Sequence, residues 1–112
     1  LELFKKFKTP EVYAGFTGSN VGFYAPQGRV LRLALEDENL KDKIASFNFK
    51  GKKITNLEME TSAIYGLGKL LGHRTLSLNA IIANRATGNF TKDGAKAVDN
   101  LIRYTLDKLV PT

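Results

Sequence analysis

A chain of 112 residues can form one small domain but buries only a modest fraction of its unfolded surface, so its length supports a single core and excludes a second domain. The absence of cysteine excludes a disulfide framework and any thiolate metal site, and leaves packing or partners to stabilise the fold. The formal charge of +6 invites a nucleic-acid partner, yet Glu36, Asp37, Glu38 and Asp42 separate the lysines at 5, 6 and 8 from those at 50, 52 and 53, so no continuous phosphate-binding stripe is expected.

The first residues, Leu1 to Lys8, mix charges with apolar positions and do not form the uninterrupted core of a signal peptide. No apolar run approaches the roughly 20 residues that span a bilayer. The chain is therefore expected to be soluble and cytoplasmic. It opens on Leu1 with no initiator methionine, which processing, missing residues and a fragment all accommodate.

From Val12 to Asn20 a short apolar segment runs into glycines and reads as a strand entering a loop. Pro26 to Arg29, Pro-Gln-Gly-Arg, reads as a turn, because proline fixes its own φ and glycine frees the backbone after it. Gln27 and Arg29 alternate around Gly28 and could project together into a cleft; a solvated loop with a charged tip accounts for the same spacing. Leu31, Leu33 and Leu35 suggest a short extended piece, and the polar stretch from Glu36 to Lys50 a flap or connector.

The second half has a clearer rhythm. Ile54 to Met59 looks extended, and Thr61 to Leu71 places Ala63, Ile64, Leu67, Leu70 and Leu71 on one helical stripe. Gly66 and Gly68 each weaken that helix by roughly 1 kcal/mol relative to alanine, so a close helix approach is their expected compensation. The near-continuous apolar run from Leu76 to Ala83 predicts a strand covered on both faces, in a central parallel sheet. After a loop from Arg85 to Phe90, Thr91 is the expected cap of a helix beginning near Lys92, with Asp93 at its positive end. Ala95, Val98, Leu101, Ile102, Leu106 and Leu109 give that helix an apolar face, and Pro111 lies beyond its end. The order of elements argues for part of an open α/β sheet, whose binding crevices form outside the carboxyl ends of strands.

That rule draws attention to Glu58-Met59-Glu60, where a strand meets a helix. Glu60 near a helix N-terminus can be a structural cap; alternatively it accepts hydrogen bonds from two neighbouring hydroxyls, with Met59 as an apolar floor. His73, beside Gly72 at a helix end, reads as structural or exposed. Residue types alone do not join it with Ser62 and Ser77 in a hydrolase triad, which needs mutual geometry and an oriented base.

Three segments in order, Gly22-Phe23-Tyr24-Ala25-Pro26-Gln27-Gly28-Arg29, Thr55-Asn56-Leu57-Glu58-Met59-Glu60 and Ile81-Ile82-Ala83-Asn84-Arg85, give the sequence its resemblance to a known family. The chain resembles the uridine phosphorylase branch of the nucleoside phosphorylase family from about Val12 to Leu109. The resemblance implies the C-terminal portion of a mixed-sheet, three-layer α/β fold, with residues 1–112 a single partial domain. It also implies reversible phosphorolysis of uridine to uracil and ribose 1-phosphate, a pentosyltransferase reaction that uses phosphate as co-substrate and needs no metal or organic cofactor.

Under that resemblance Gln27 and Arg29 look like the pair that recognises the uracil edge, and Phe23 like an aromatic wall against the nucleoside. Glu60 is similar to the ribose-hydroxyl ligand, Met59 to the floor beneath the sugar, and Glu58 to a supporting carboxylate. Ala83 and Arg85 would line the base side of the pocket. Where purine-processing relatives carry an aspartic acid, this chain has Asn84-Arg85, which favours a pyrimidine. The glycine-rich loops and arginines of the family's phosphate pocket find no match before Val12, so the phosphate-binding N-terminal part is expected to be absent from these residues and the segment alone to be inactive. A homo-oligomer built on dimers is the implied assembly. The competing class is a non-catalytic nucleoside-binding or structural remnant of the same fold.

Overall fold

A computed structural model describes residues 2–110, so the helix stop expected at Pro111 lies outside the described residues. The chain combines helices with small sheets, in keeping with an α/β class. It divides into two compact units, Tyr13–Thr75 and the flanking Leu1–Val12 with Leu76–Thr112.

In the unit Tyr13–Thr75, strand β1 (Phe16–Ser19) pairs in parallel with β2 (Ile54–Glu58), and the register sets Ser19 opposite Glu58. Both strands therefore end at the same level. The Asn20 N–H donates to Glu58 O at 2.8 Å and adds one more bond beyond the last strand residue. A Cβ on Gly18 would meet Leu57 Cδ2 at 2.6 Å, so a larger residue there would displace the Leu57 side chain. Helix α2 (Leu40–Ser46) interrupts the connector expected over Glu36 to Lys50. A tight hairpin follows, in which Phe49 and Lys52 exchange both backbone bonds at 2.9 and 3.0 Å. Its central residues, Lys50 at φ 51° and Gly51 at φ 76°, have the positive φ values of a type I′ turn. Phe16 packs edge-on against Phe47 and tilted against Phe49, with centroids 5.8 and 6.2 Å apart.

Helix α3 (Thr61–Leu70) begins directly above the ends of the two strands. The close helix approach expected at the two glycines is not formed: Gly66 has open space, and at Gly68 an added Cβ would lie 2.4 Å from Thr75 Cγ2, in the non-helical segment that follows α3. The apolar stripe of this helix is exposed, Ile64 at 51 % and Leu70 at 83 %. Residues 31–33 form bends and 34–35 no regular structure, not the short extended piece anticipated, and Leu31 and Leu33 are exposed.

In the other unit, α1 (Glu2–Phe7) packs on the long helix α4 (Gly94–Leu109) through Phe7, the buried apolar side chain of the described residues. Phe7 and Tyr104 lie 6.1 Å apart, and Tyr104 Oη donates to Phe7 O at 2.8 Å and shares a bond of 3.1 Å with Thr9 Oγ1. The face of α4 turned inward thus carries Leu101, Tyr104 and Thr105, while the predicted stripe at Val98, Ile102, Leu106 and Leu109 is exposed. The cap also moves. Asp93, in an extended conformation, accepts from Lys96 N at 2.9 Å and the helix starts at Gly94, whereas Thr91 bonds back to Ile82 O through its N–H. An extended residue whose carboxylate reaches the third amide of the helix satisfies a donor that Thr91, two residues earlier, cannot reach.

The central parallel strand expected over Leu76 to Ala83 is not formed. Residues 76–82 run without a ladder partner, and only β3 (Ala83–Asn84) pairs, antiparallel, with β4 (Asn89–Phe90). An apolar run supplies side chains for a buried strand, but its backbone N–H and C=O groups need neighbouring strands, and none of the described elements provides them. No helix among the described residues is long and apolar enough to cross a membrane.

Candidate functional site

The site is built where β1 and β2 run out beneath the first turn of α3. A helix leaves its first amides unpaired, and here those of Glu60, Thr61 and Ser62 find acceptors at the strand ends. Glu58 Oε2 takes the N–H groups of Glu60 and Thr61, both at 2.7 Å, and Ser19 Oγ takes that of Ser62 at 3.0 Å. Capping is therefore the work of Glu58, not of Glu60, which stands at the cap position without using its side chain to cap. The Glu60 carboxylate instead accepts from Met59 N at 3.1 Å and is exposed, as Met59 is. Glu58 and Ser19 thus engage the amides of Glu60, Thr61 and Ser62 at the start of α3.

Burial pushes the Glu58 carboxyl upward, but the N–H of Glu60, the Ser19 hydroxyl and the N–H and hydroxyl of Thr61 together outweigh it, so the group ionises below the usual carboxylate range. A depressed pKa contributes stability above the unfolded value, and that stability is lost as pH falls through the folded value. Glu58→Gln should accordingly lower unfolding stability by about 1 kcal/mol at neutral pH, in the range of a lost helix cap. Chemical unfolding of both proteins between pH 7 and pH 3 checks this: the gap should close on acidification, and a constant gap would show that the charge of Glu58 contributes nothing.

The second part of the site is the turn after β1. Ala25–Gln27 form a single 3-10 turn, with Gln27 N and Arg29 N both bonding to Tyr24 O at 3.0 Å and Gly28 N to Ala25 O at 2.9 Å. Gly28 adopts φ 73°, a left-handed conformation, and a Cβ there would also meet Lys41 Cγ at 2.9 Å. This geometry brings Gln27, Arg29 and Phe23 together. Gln27 is only 4 % exposed, so the solvated-tip alternative does not hold for it. Arg29 Nη1 donates to Gln27 Oε1 at 3.2 Å and to the Phe23 carbonyl, and its guanidinium lies over the Phe23 ring, 3.4 Å from the centroid. Tyr24 meets the same ring edge-on at 5.3 Å.

The remaining predicted residues belong to the other unit. Ala83 pairs with Phe90 in the small hairpin, and Arg85 opens the turn between its strands; both are exposed. His73 follows the end of α3, where its N–H donates to Gly68 O at 2.8 Å, and it is exposed.

Sequence reasoning missed Ser19 and Asn20. Asn20 Nδ2 donates to Pro26 O at 2.8 Å, and its Oδ1 is buried with no hydrogen-bond partner, as is Glu58 Oε1. A buried acceptor without a donor costs about 1–3 kcal/mol, so two of them at adjacent strand ends mark a place suited to accept hydrogen bonds from a hydroxyl-rich ligand. Their signal was a Ser-Asn pair at the carboxyl end of a strand, the position where α/β sheets place binding groups.

Along 90 residues the chain is 32 % identical to the uridine phosphorylase of Thermococcus kodakarensis, in an alignment that covers 75 % of this chain and 30 % of that protein. The chain thus spans less than a third of the length of that relative. No family model matches the chain. No solved structure matches it either.

Proposed function

We propose that the intact protein is a uridine phosphorylase, a pentosyltransferase that reversibly converts uridine and phosphate to uracil and ribose 1-phosphate. The observation that carries this reading is the 32 % identity over 90 residues to a protein of that name. The local geometry supports it, because a buried glutamine paired with an arginine and a carboxylate-bearing strand end lie in one unit. The described elements are then the C-terminal portion of a three-layer nucleoside phosphorylase fold. The phosphate site is built by further chain. Assembly is a homo-oligomer of dimers.

In this mechanism, cleavage of the glycosidic bond develops positive character on the sugar and negative charge on the departing uracil, while phosphate attacks the opposite face. Gln27 and Arg29 stabilise the base as its charge grows, and Phe23 walls the nucleoside. Glu60 holds the ribose hydroxyls over Met59, with Glu58 in support. No side-chain nucleophile takes part. The intact protein should release uracil from uridine only with phosphate present and should process inosine poorly. Product formation from uridine and inosine, with and without phosphate, is the test. Faster inosine turnover would defeat the substrate assignment, and equal uridine turnover without phosphate would indicate hydrolysis.

A further inference from the structure

We infer that Asn20 is a positioning residue that holds the base-recognition turn against the strand end bearing the ribose carboxylates, an inference that rests on the reading above. The residue bonds in two directions. Its backbone N–H donates to Glu58 O at 2.8 Å, two residues before Glu60, and its side-chain Nδ2 donates to Pro26 O at 2.8 Å, one residue before Gln27. The turn's own backbone bonds end on Tyr24 O and Ala25 O, so Asn20 supplies the donor for the carbonyl they leave. A reversed amide would set oxygen against the Pro26 carbonyl, and the amide keeps its orientation even though Oδ1 is thereby buried without a donor. Gln27 and Glu60 would act on opposite ends of one nucleoside, so their separation must be fixed within fractions of an ångström for both to engage. A single half-buried residue, bonded through its backbone to one segment and through its side chain to the other, does that.

The test compares the intact wild type with Asn20→Ala, Gln27→Ala and the double variant, and adds Asn20→Asp, which keeps the size and the backbone bond to Glu58 but loses the donor. Asn20→Ala and Asn20→Asp should each lower kcat/KM for uridine about tenfold, a magnitude typical of one lost positioning contact. Gln27→Ala should then cost much less in the Asn20→Ala background than in the wild type, because a displaced Gln27 has little left to lose. Additive losses would overturn the inference, as would full activity in Asn20→Asp. Amide exchange needs no substrate and separates this inference from the functional reading. The Gln27, Gly28 and Arg29 amides should exchange faster in Asn20→Asp while those of α3 are unchanged, and unchanged exchange at the turn overturns the brace. A wild type that leaves uridine intact with phosphate present overturns the functional reading, and the exchange result then still decides whether Asn20 fixes the turn.

Discussion

Glu60→Ala should lower kcat/KM for uridine about a hundredfold, the effect of losing one strong transition-state interaction of roughly 3 kcal/mol. The Glu60 carboxylate is exposed and accepts one backbone bond from Met59, so it retains acceptor capacity for ribose hydroxyls. A charge-assisted hydrogen bond to the sugar both aligns it with phosphate and offsets the positive character that develops as the bond breaks. The loss should be unequal between substrates. If Glu60 grips both hydroxyls, uridine should suffer more than 2′-deoxyuridine, and the preference between them should narrow. Because Glu58 and not Glu60 caps α3, the variant should keep its fold, which circular dichroism and an assembly check can establish before rates are compared. An unchanged uridine-to-deoxyuridine ratio would remove Glu60 from the sugar site.

Gln27→Ala should also slow the reaction about a hundredfold, but by similar factors for the two nucleosides, because its hydrogen bonds go to the base and strengthen as uracil becomes anionic. The side chain is buried and bonded to Arg29 Nη1 at 3.2 Å, so its removal also frees the guanidinium that it helps to orient. The measurement is kcat/KM for uridine and 2′-deoxyuridine in the wild type and in both variants. A change of ratio in Gln27→Ala with none in Glu60→Ala would exchange the two assignments.

The elements that sequence located well, β2 and α3, are those whose pattern is complete within a few residues: a short extended run, then helical spacing that begins at a threonine. The turn at Pro26 to Arg29 was legible for the same reason, since proline and glycine dictate their own backbone. Leu76 to Ala83 was misread because apolarity states that a segment will be buried but not which strands will pair with it. The structure exposes the stripe of α3 and most of that of α4, where Leu101 alone of the long apolar residues stays on the inward face beside Tyr104, whose hydroxyl bonds to Phe7 O. Gln27, Arg29 and the Glu58 to Glu60 segment stood out by type and position, but spacing alone left a solvated loop and a helix cap open for them. The roles of Ser19 and Asn20 were not legible, because they depend on a register between strands far apart in the chain, which sets Ser19 opposite Glu58. The division of labour between the two glutamates was hidden for the same reason: either could cap α3 on spacing alone, and only the bonds to Glu60 N and Thr61 N assign that work to Glu58.

The guanidinium of Arg29 over Phe23 makes ligand entry an exchange. In the proposed reading the ring is a wall for the nucleoside, so a flat ligand that stacks on the same face must first displace the cation that rests there. Measured affinity is then the intrinsic affinity reduced by the fraction of molecules whose ring is uncovered. With a cation–π contact worth about 0.5–1 kcal/mol at an exposed site, that reduction is about three- to sixfold. The ring's attraction for a base and its attraction for the arginine arise from the same π face, so substitutions that enrich that face tighten the latch along with the lock.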